Sequence, residues 1–155
     1  MAAPQPSLKG RALRCLAARE HSRAELQRKL APYEEEPGQI ERVLDELQAK
    51  GFISEARVAA SLLHRRSARM GDQRIRQELQ SKGLDADTVA QALEQLRGTE
   101  HERAQAVWQR KFGTPAQDAK ERARQMRFLM ARGFSANVVR RVVQGGAGPD
   151  ADASI

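Results

Sequence analysis

The sequence predicts an all-α protein built from three tandem three-helix repeats, winged-helix-like units without wings that stack into an elongated, curved array. Three observations lead there. Residues that cap helix starts alternate with glycines placed where helices should stop, which divides the chain into nine short segments. No segment sustains a period of two, so no sheet is expected. Apolar positions also recur at an offset of 49 to 50 residues, as they do when one supersecondary unit is copied.

The nine helices can be justified in order. The first, 7–19, opens on Ser7. The second, 22–31, opens on Ser22 with Glu25 three residues on, a capping box in which hydroxyl and carboxylate satisfy the free amides of the first turn. Pro37 suits the first turn of the third, 37–50, which Gly51 stops. Ser54 caps the fourth, 54–70, and Asp72 the fifth, 72–82, which stops at Gly83. Asp85 precedes the sixth, 86–97, which stops at Gly98. Thr99 with Glu102 repeats the capping box for the seventh, 99–112, which ends before Gly113. Thr114 and Pro115 open the eighth, 115–132, and Ser135 the ninth, 135–144, with Gly133 and Gly145 as stops. The segment 31–37, with Glu34, Glu35 and Glu36 in a row, reads as a solvated loop.

A step of 49 carries Leu13 to Leu62, Leu26 to Ile75, Leu30 to Leu79 and Leu44 to Leu93; a step of 50 carries Leu79 to Leu129, Gly83 to Gly133 and Leu84 to Phe134. The repeats therefore run 7–53, 54–98 and 99–145, with residues 1–6 and 146–155 expected to be disordered. Leu26, Leu30, Ile75, Leu79, Leu93, Trp108, Phe112, Leu129 and Phe134 are the expected core.

Composition bounds the function. The chain has 155 residues, with 27 Lys and Arg against 20 Asp and Glu, a net charge of +7. That size allows one sizeable core and excludes a large multidomain enzyme. The single cysteine, Cys15, forms no intramolecular disulfide, which fits a reducing compartment. No run approaches the 18 or so apolar residues that span a bilayer, and Met1 to Pro6 lacks the features of a signal peptide, so a cytoplasmic location and no membrane partner are expected. The positive surplus points to an anionic partner, either nucleic acid or an acidic protein surface.

Catalytic machinery is hard to find. His21, His64 and His101 stand singly, and the position four residues after His101 is Gln105, so no metal pair forms on that helix. There is no phosphate-binding glycine loop, nucleophile elbow or cysteine pair. No enzyme activity, cofactor or metal is expected.

The arginines remain. Arg122 with Asp118 and Arg124 with Glu121 are expected to be neutralised along their helix. Within the fourth helix Arg57, Arg65, Arg66 and Arg69 have no acidic residue at such spacing, nor do Lys120 and Arg127 in the eighth or Arg140 and Arg141 in the ninth. Arg74 and Arg76 extend the basic run into the fifth. The expected partner contacts are Arg57, Arg65, Arg66, Arg69, Arg74, Arg76, Arg127, Arg132, Arg140 and Arg141. A helix-turn-helix reading suits the ninth helix, with Asn137, Arg140 and Arg141, but fails for the third, which carries Glu41, Asp45 and Glu46, and for the sixth, with Asp85, Asp87 and Glu94. Carboxylates on a recognition helix repel phosphates, so any DNA contact is expected to be weak and salt-sensitive.

The stretch Gly51-Phe52-Ile53-Ser54-Glu55-Ala56-Arg57-Val58-Ala59, with Arg65-Arg66, Gly71 and Arg74 to Leu84, resembles the central repeat of the RecX family of bacterial regulators of the RecA recombinase. Ser22 to Leu26 with Lys29-Leu30 is similar to that family's opening repeat, and Lys111-Phe112-Gly113, Phe128-Leu129 and Arg132-Gly133-Phe134 to its third. The chain departs from the family at Ser54-Glu55, where an acidic pair is usual, and at Val58 and Leu62, where aromatics are. The resemblance implies a monomeric chain of modules lying in the groove of the RecA filament on single-stranded DNA or at its growing end. It implies restraint of filament extension, ATP hydrolysis, strand exchange and SOS coprotease activity, with single-stranded DNA touched only weakly or indirectly; some members instead assist the recombinase. The competing expectations are an autonomous DNA-binding protein using its arginine patches and a scaffold whose charge serves solubility. The charge favours the first reading: residues 1–53, 54–98 and 99–155 carry +1, +2 and +4, a polarity suited to docking in one direction.

Overall fold

A computed structural model describes residues 4–145. Among them the chain forms nine α-helices and no strand: α1 (Leu8–Ala18), α2 (Arg23–Leu30), α3 (Gln39–Ala49), α4 (Glu55–Arg66), α5 (Asp72–Ser81), α6 (Ala86–Gln95), α7 (Glu100–Lys111), α8 (Ala119–Ala131) and α9 (Ala136–Val143). Residues 1–3 and 146–155, within the termini expected to be disordered, lie outside the described residues.

Local chemistry explains most boundaries. Ser7 Oγ accepts from the Gly10 amide, Ser54 Oγ from Arg57, Asp85 Oδ1 from Thr88 and Ser135 Oγ from Val138, each satisfying a first-turn donor. The Ser22–Glu25 capping box forms in both directions. All six predicted stop glycines take positive φ.

Four expectations need correction. Thr99 builds no capping box: it lies in the αR region, its Oγ1 donates to Leu96 O at 2.6 Å and accepts from Arg103 Nε at 3.0 Å. The fourth helix ends at Arg66, not residue 70, because Arg103 Nη1 draws the carbonyls of Ser67 and Met70 to itself. The eighth starts four residues late, with Asp118 as its cap, since Gln125 Nε2 holds Thr114 O at 3.1 Å and keeps the intervening residues as a loop. The third starts at Gln39 behind Gly38, whose φ of 89° is left-handed, so Pro37 stays outside. Part of the 31–37 loop, Ala31–Tyr33, is a 3-10 turn.

The chain forms two compact units, one of Met1–Ser61 with Leu79–Val89, the other of Leu62–Glu78 with Ala90–Ile155. In the first, Ala12, Leu26, Leu30, Ile40, Leu44, Leu47 and Ile53 form a core of side chains at most 2% exposed, with Cys15 packed at its edge. Removing a Leu side chain from water contributes about 2 kcal/mol, so this cluster holds α1, α2 and α3 together. In the second, Ala104, Val107, Trp108, Leu129, Phe134, Val139, Val142 and Val143 play that part for α7, α8 and α9. Trp108 Nε1 donates to Gln125 Oε1 at 2.9 Å, which satisfies the indole within the core. Leu93 and Phe112 are half-buried, short of the full burial expected.

Each unit contains one junction at which a helix-ending turn rests on the start of an earlier helix. In the first, Ser22 Oγ donates to Lys82 O at 2.5 Å, and a Cβ on Gly83 would lie 2.5 Å from Ala24 Cβ. In the second, Gly71 N donates to Arg132 O at 2.8 Å and Gln73 N to Gly133 O at 3.3 Å. A Cβ on Gly71 would come within 2.3 Å of the Gly133 backbone. Residues 22, 24, 82 and 83 of the first junction correspond to 72, 74, 132 and 133 of the second, the same offset that the apolar positions follow.

Candidate cationic partner-binding face

Burial and pairing sort the basic residues. Arg57 is not unpaired as its helix spacing suggests: Nε lies 2.9 Å from Glu20 Oε1 and Nη2 donates to Gly51 O. Arg66 and Arg74 both approach Glu78, at 3.5 and 3.9 Å. Arg65 is exposed and also has an interaction partner. Arg124 pairs with Glu121 at 2.9 Å as its spacing predicts. Asp118 caps α8 through the Glu121 amide, and no ion pair links it to Arg122 among the described residues. Arg69, Arg76, Arg127, Arg132, Arg140 and Arg141 have no carboxylate within ion-pair distance among the described residues, and all but the half-buried Arg132 and Arg141 are exposed.

Two of these six, Arg69 and Arg132, share a cleft of about 600 Å³ in the second unit with Arg110 and Lys111. Ala68, Val107 and Phe128 complete the lining, and no acidic residue contributes to it. Each part is placed by the fold. Arg110 and Lys111 are the last turn of α7, where cations also favour the helix dipole. Phe128 is on α8, its ring meeting Phe112 edge-on, centroids 5.5 Å apart and planes at 83°. Lys111 Nζ lies 5.3 Å and Arg132 Cζ 5.0 Å from the Phe128 centroid. Arg69 sits on the 67–71 linker. Arg110 Nη2 donates to Ala68 O at 2.9 Å, Arg103 donates to the carbonyls on either side, and Gly71 N binds Arg132 O. Arg103, its side chain 12% exposed, is itself neutralised by Asp72. The linker is thus tied at every other residue, and the rim cations start from fixed backbone.

Sequence reasoning named Arg69 and Arg132 but missed Arg110, Lys111 and Phe128. A basic pair in a last helical turn reads as dipole support, so Lys111 entered only with Phe112-Gly113, and Phe128 only with Leu129, as marks of the third repeat and not as contacts. Arg76, Arg127, Arg140 and Arg141 do not line this cleft.

Three further ionisable groups are engaged within their own units. His21 is 2% exposed; Nδ1 donates to Arg19 O at 3.0 Å, which leaves Nε2 to accept from Lys29 Nζ at 3.0 Å. Burial, with Arg19 and Lys29 beside it, lowers its pKa and keeps it neutral. Burial would raise the pKa of Glu25, but the hydrogen bonds from Arg19 and the Ser22 amide and the charge of Lys82 overcome it, holding the carboxyl at about 2. In the second unit burial raises the pKa of Glu100, against the Ser135 amide and with the help of Asp72. No group of three or more His, Cys, Asp or Glu could hold a metal among the described residues. No described helix is long and apolar enough to cross a membrane. The arrangement can bind an anion.

Comparison with known proteins accounts for the threefold architecture. Three family descriptions match in order: RecX, first three-helix domain, over residues 9–47; second, over 54–93; and third, over 99–143. The chain is 64% identical over 141 residues to "Regulatory protein RecX" of Leptothrix cholodnii, covering 91% of this chain and 90% of that protein. To the protein of that name from Ralstonia nicotianae it is 50% identical over 147 residues, 94% and 92% of the two. Among solved structures, RecX from Lactobacillus salivarius matches with a TM-score of 0.73 at 19% identity, over 88% of this chain and 92% of that one, a likeness of fold. With its three domains matched in order and close relatives spanning nine-tenths of its length, this chain belongs to the RecX family.

Proposed function

We propose that the chain is a non-enzymatic regulator of the RecA recombinase, acting in the cytoplasm as a monomer. It binds the filament that RecA forms on single-stranded DNA, in the helical groove or at the growing end. There it inhibits filament extension and with it ATP hydrolysis, strand exchange and SOS coprotease activity. The observation that carries this reading is the 64% identity, along nine-tenths of both chains, to a protein named regulatory protein RecX. The cation-lined cleft supports it, since four basic side chains without a lining carboxylate suit an acidic surface. The charge of +1, +2 and +4 on residues 1–53, 54–98 and 99–155 gives the chain a direction along a repeating partner. The exposed Arg76, Arg127, Arg140 and Arg141 are proposed as further contacts to acidic protein surface or filament-bound phosphate, and Arg57, Arg65, Arg66 and Arg74, already engaged within the chain, as weaker ones.

The test is a binding titration of labelled chain against three targets at physiological salt: bare single-stranded DNA, duplex DNA, and cognate recombinase assembled on single strands with nucleotide. Preference for the filament by tenfold or more is expected. Equal affinity for bare DNA and filament would overturn the proposal in favour of autonomous DNA binding, which would also show a steep salt dependence.

A further inference from the structure

We infer that the Arg69–Arg132 cleft takes a short acidic segment of a partner protein, a carboxylate with an aliphatic or aromatic neighbour, in preference to a nucleic-acid strand; this deepens the regulatory reading above and rests on it. The cleft's charge comes first. Arg57, Arg66, Arg74, Arg103 and Arg124 each lie within 4 Å of a carboxylate of the same chain. The cleft gathers three guanidinium groups and an ammonium with no carboxylate among its lining residues. Gathered like charges repel, and an anionic occupant relieves that cost. Guanidinium forks match a carboxylate as well as a phosphate, so charge alone does not choose between them.

Shape and the aromatic ring do. A single strand is usually held by bases stacked on open aromatic faces along a basic groove. Here Lys111 and Arg132 already stand 5.3 and 5.0 Å from the Phe128 centroid, and Phe112 meets that ring at 5.5 Å, so a base would have to displace a cation. The volume of about 600 Å³ is that of a pocket for a few side chains. Val107 and Phe128 contribute an apolar wall that a phosphodiester run leaves unfilled, whereas a carboxylate on a short stem beside an apolar side chain satisfies both parts. The rim is also preorganised: Arg110 is tied to Ala68 O, and Arg103 fixes the carbonyls of Ser67 and Met70. Little ordering cost then falls on binding.

The experiment uses the full chain and three fluorescein-labelled probes of matched length in polarisation titrations at physiological salt. These are a synthetic peptide alternating Asp or Glu with Leu, the same peptide with Asn and Gln for the acids, and an oligo-dT. Four proteins are compared: the parent, Arg69→Ala with Arg132→Ala, Arg69→Glu alone as a rim variant that disturbs no packing, and Arg97→Ala, an 80% exposed side chain outside the cleft, as control. The inference predicts that the acidic peptide binds at least tenfold tighter than the amide peptide. It predicts that both cleft variants lose tenfold or more and that Arg97→Ala stays within twofold. It is overturned if oligo-dT outcompetes the acidic peptide and fails in the same variants, which would make the cleft a nucleic-acid site. Equal binding of the two peptides, or no loss in the variants, overturns it as well. Filament binding by the same proteins separates the two proposals. A parent that never binds the filament ends the regulatory reading whatever the peptides do. A parent and Arg69→Glu that bind the filament alike end the cleft assignment and leave regulation standing.

Discussion

The two junctions share one contact, a glycine against a Cβ (Gly83 on Ala24, Gly133 on Arg74), and differ in the atoms that make the rest of the joint. At the first, the turn carrying Lys82 and Gly83 is received by side chains: Ser22 Oγ bonds to the Lys82 carbonyl, and the methyl of Ala24 faces Gly83. At the second, the turn carrying Arg132 and Gly133 is received by backbone: the Gly71 and Gln73 amides donate to it, and the Gly71 α-carbon takes the close approach. A side-chain contact can be relieved by changing its partner. A backbone contact cannot. The difference bears on the proposed binding cleft, because the second junction also holds the linker from which Arg69 reaches it.

The largest expected effect is at the backbone junction. Gly71 has no positive φ to preserve, so the cost of Gly71→Ala is steric, a new methyl group 2.3 Å from the Gly133 carbonyl carbon with no side chain to move. It should destabilise the second unit by about 3 kcal/mol, read as a lower urea midpoint by Trp108 fluorescence.

Acid separates the units next. The Glu25 carboxyl is held at about 2 against an ordinary 4.5, so its contribution, on the order of 3 kcal/mol, is complete above pH 4.5 and is lost as pH falls towards 2. His21, buried neutral, adds a loss that begins below its ordinary 6.5. Glu100 runs the other way. Its pKa is raised by burial and by Asp72, so its ionised form costs stability at neutral pH and acidification through the raised value relieves that cost. Tyr33 lies in the first unit and Trp108 in the second, each the only one of its kind, so urea titrations at successive pH values should show the tyrosine signal weakening first. Coincident loss of both signals would contradict this.

A double-mutant cycle then sharpens the contrast. Gly83→Ala should cost about 2 kcal/mol, from a φ of 76° and the clash with Ala24. Adding Ala24→Gly removes the clash and should recover about 1 kcal/mol of coupling. No change at Arg74 should recover Gly71→Ala. The smallest effect is that of Ser22→Ala, about 1 kcal/mol in the first unit alone, because the second junction takes its hydrogen bond from an amide.

What the sequence made legible follows from the range of the interactions concerned. Caps and stops act within four residues, so nine helices could be placed and six glycines recognised. Repetition was legible because each three-helix unit asks for apolar residues and a stop glycine at the same places 49 to 50 positions on, as Leu79, Gly83 and Leu84 recur at Leu129, Gly133 and Phe134. Thr99 failed because Arg103, four residues away, offers its hydroxyl a competing donor and Arg103 is wanted by the linker carbonyls. The Arg57–Glu20 and Arg66–Glu78 pairs span 37 and 12 residues, beyond any helical spacing rule. Arg74–Glu78, at four residues, was within that rule and was overlooked. The cleft draws on three separate segments, and only the fold brings Arg69, Arg110 and Arg132 together.

The central claim, that this chain restrains the recombinase filament, is tested most directly by ATP hydrolysis of the cognate recombinase on single-stranded DNA as the chain is added. The account predicts a rate that falls with rising ratio to a small fraction of its starting value, with Arg97→Ala equal to the parent protein. An unchanged rate at molar excess would contradict it.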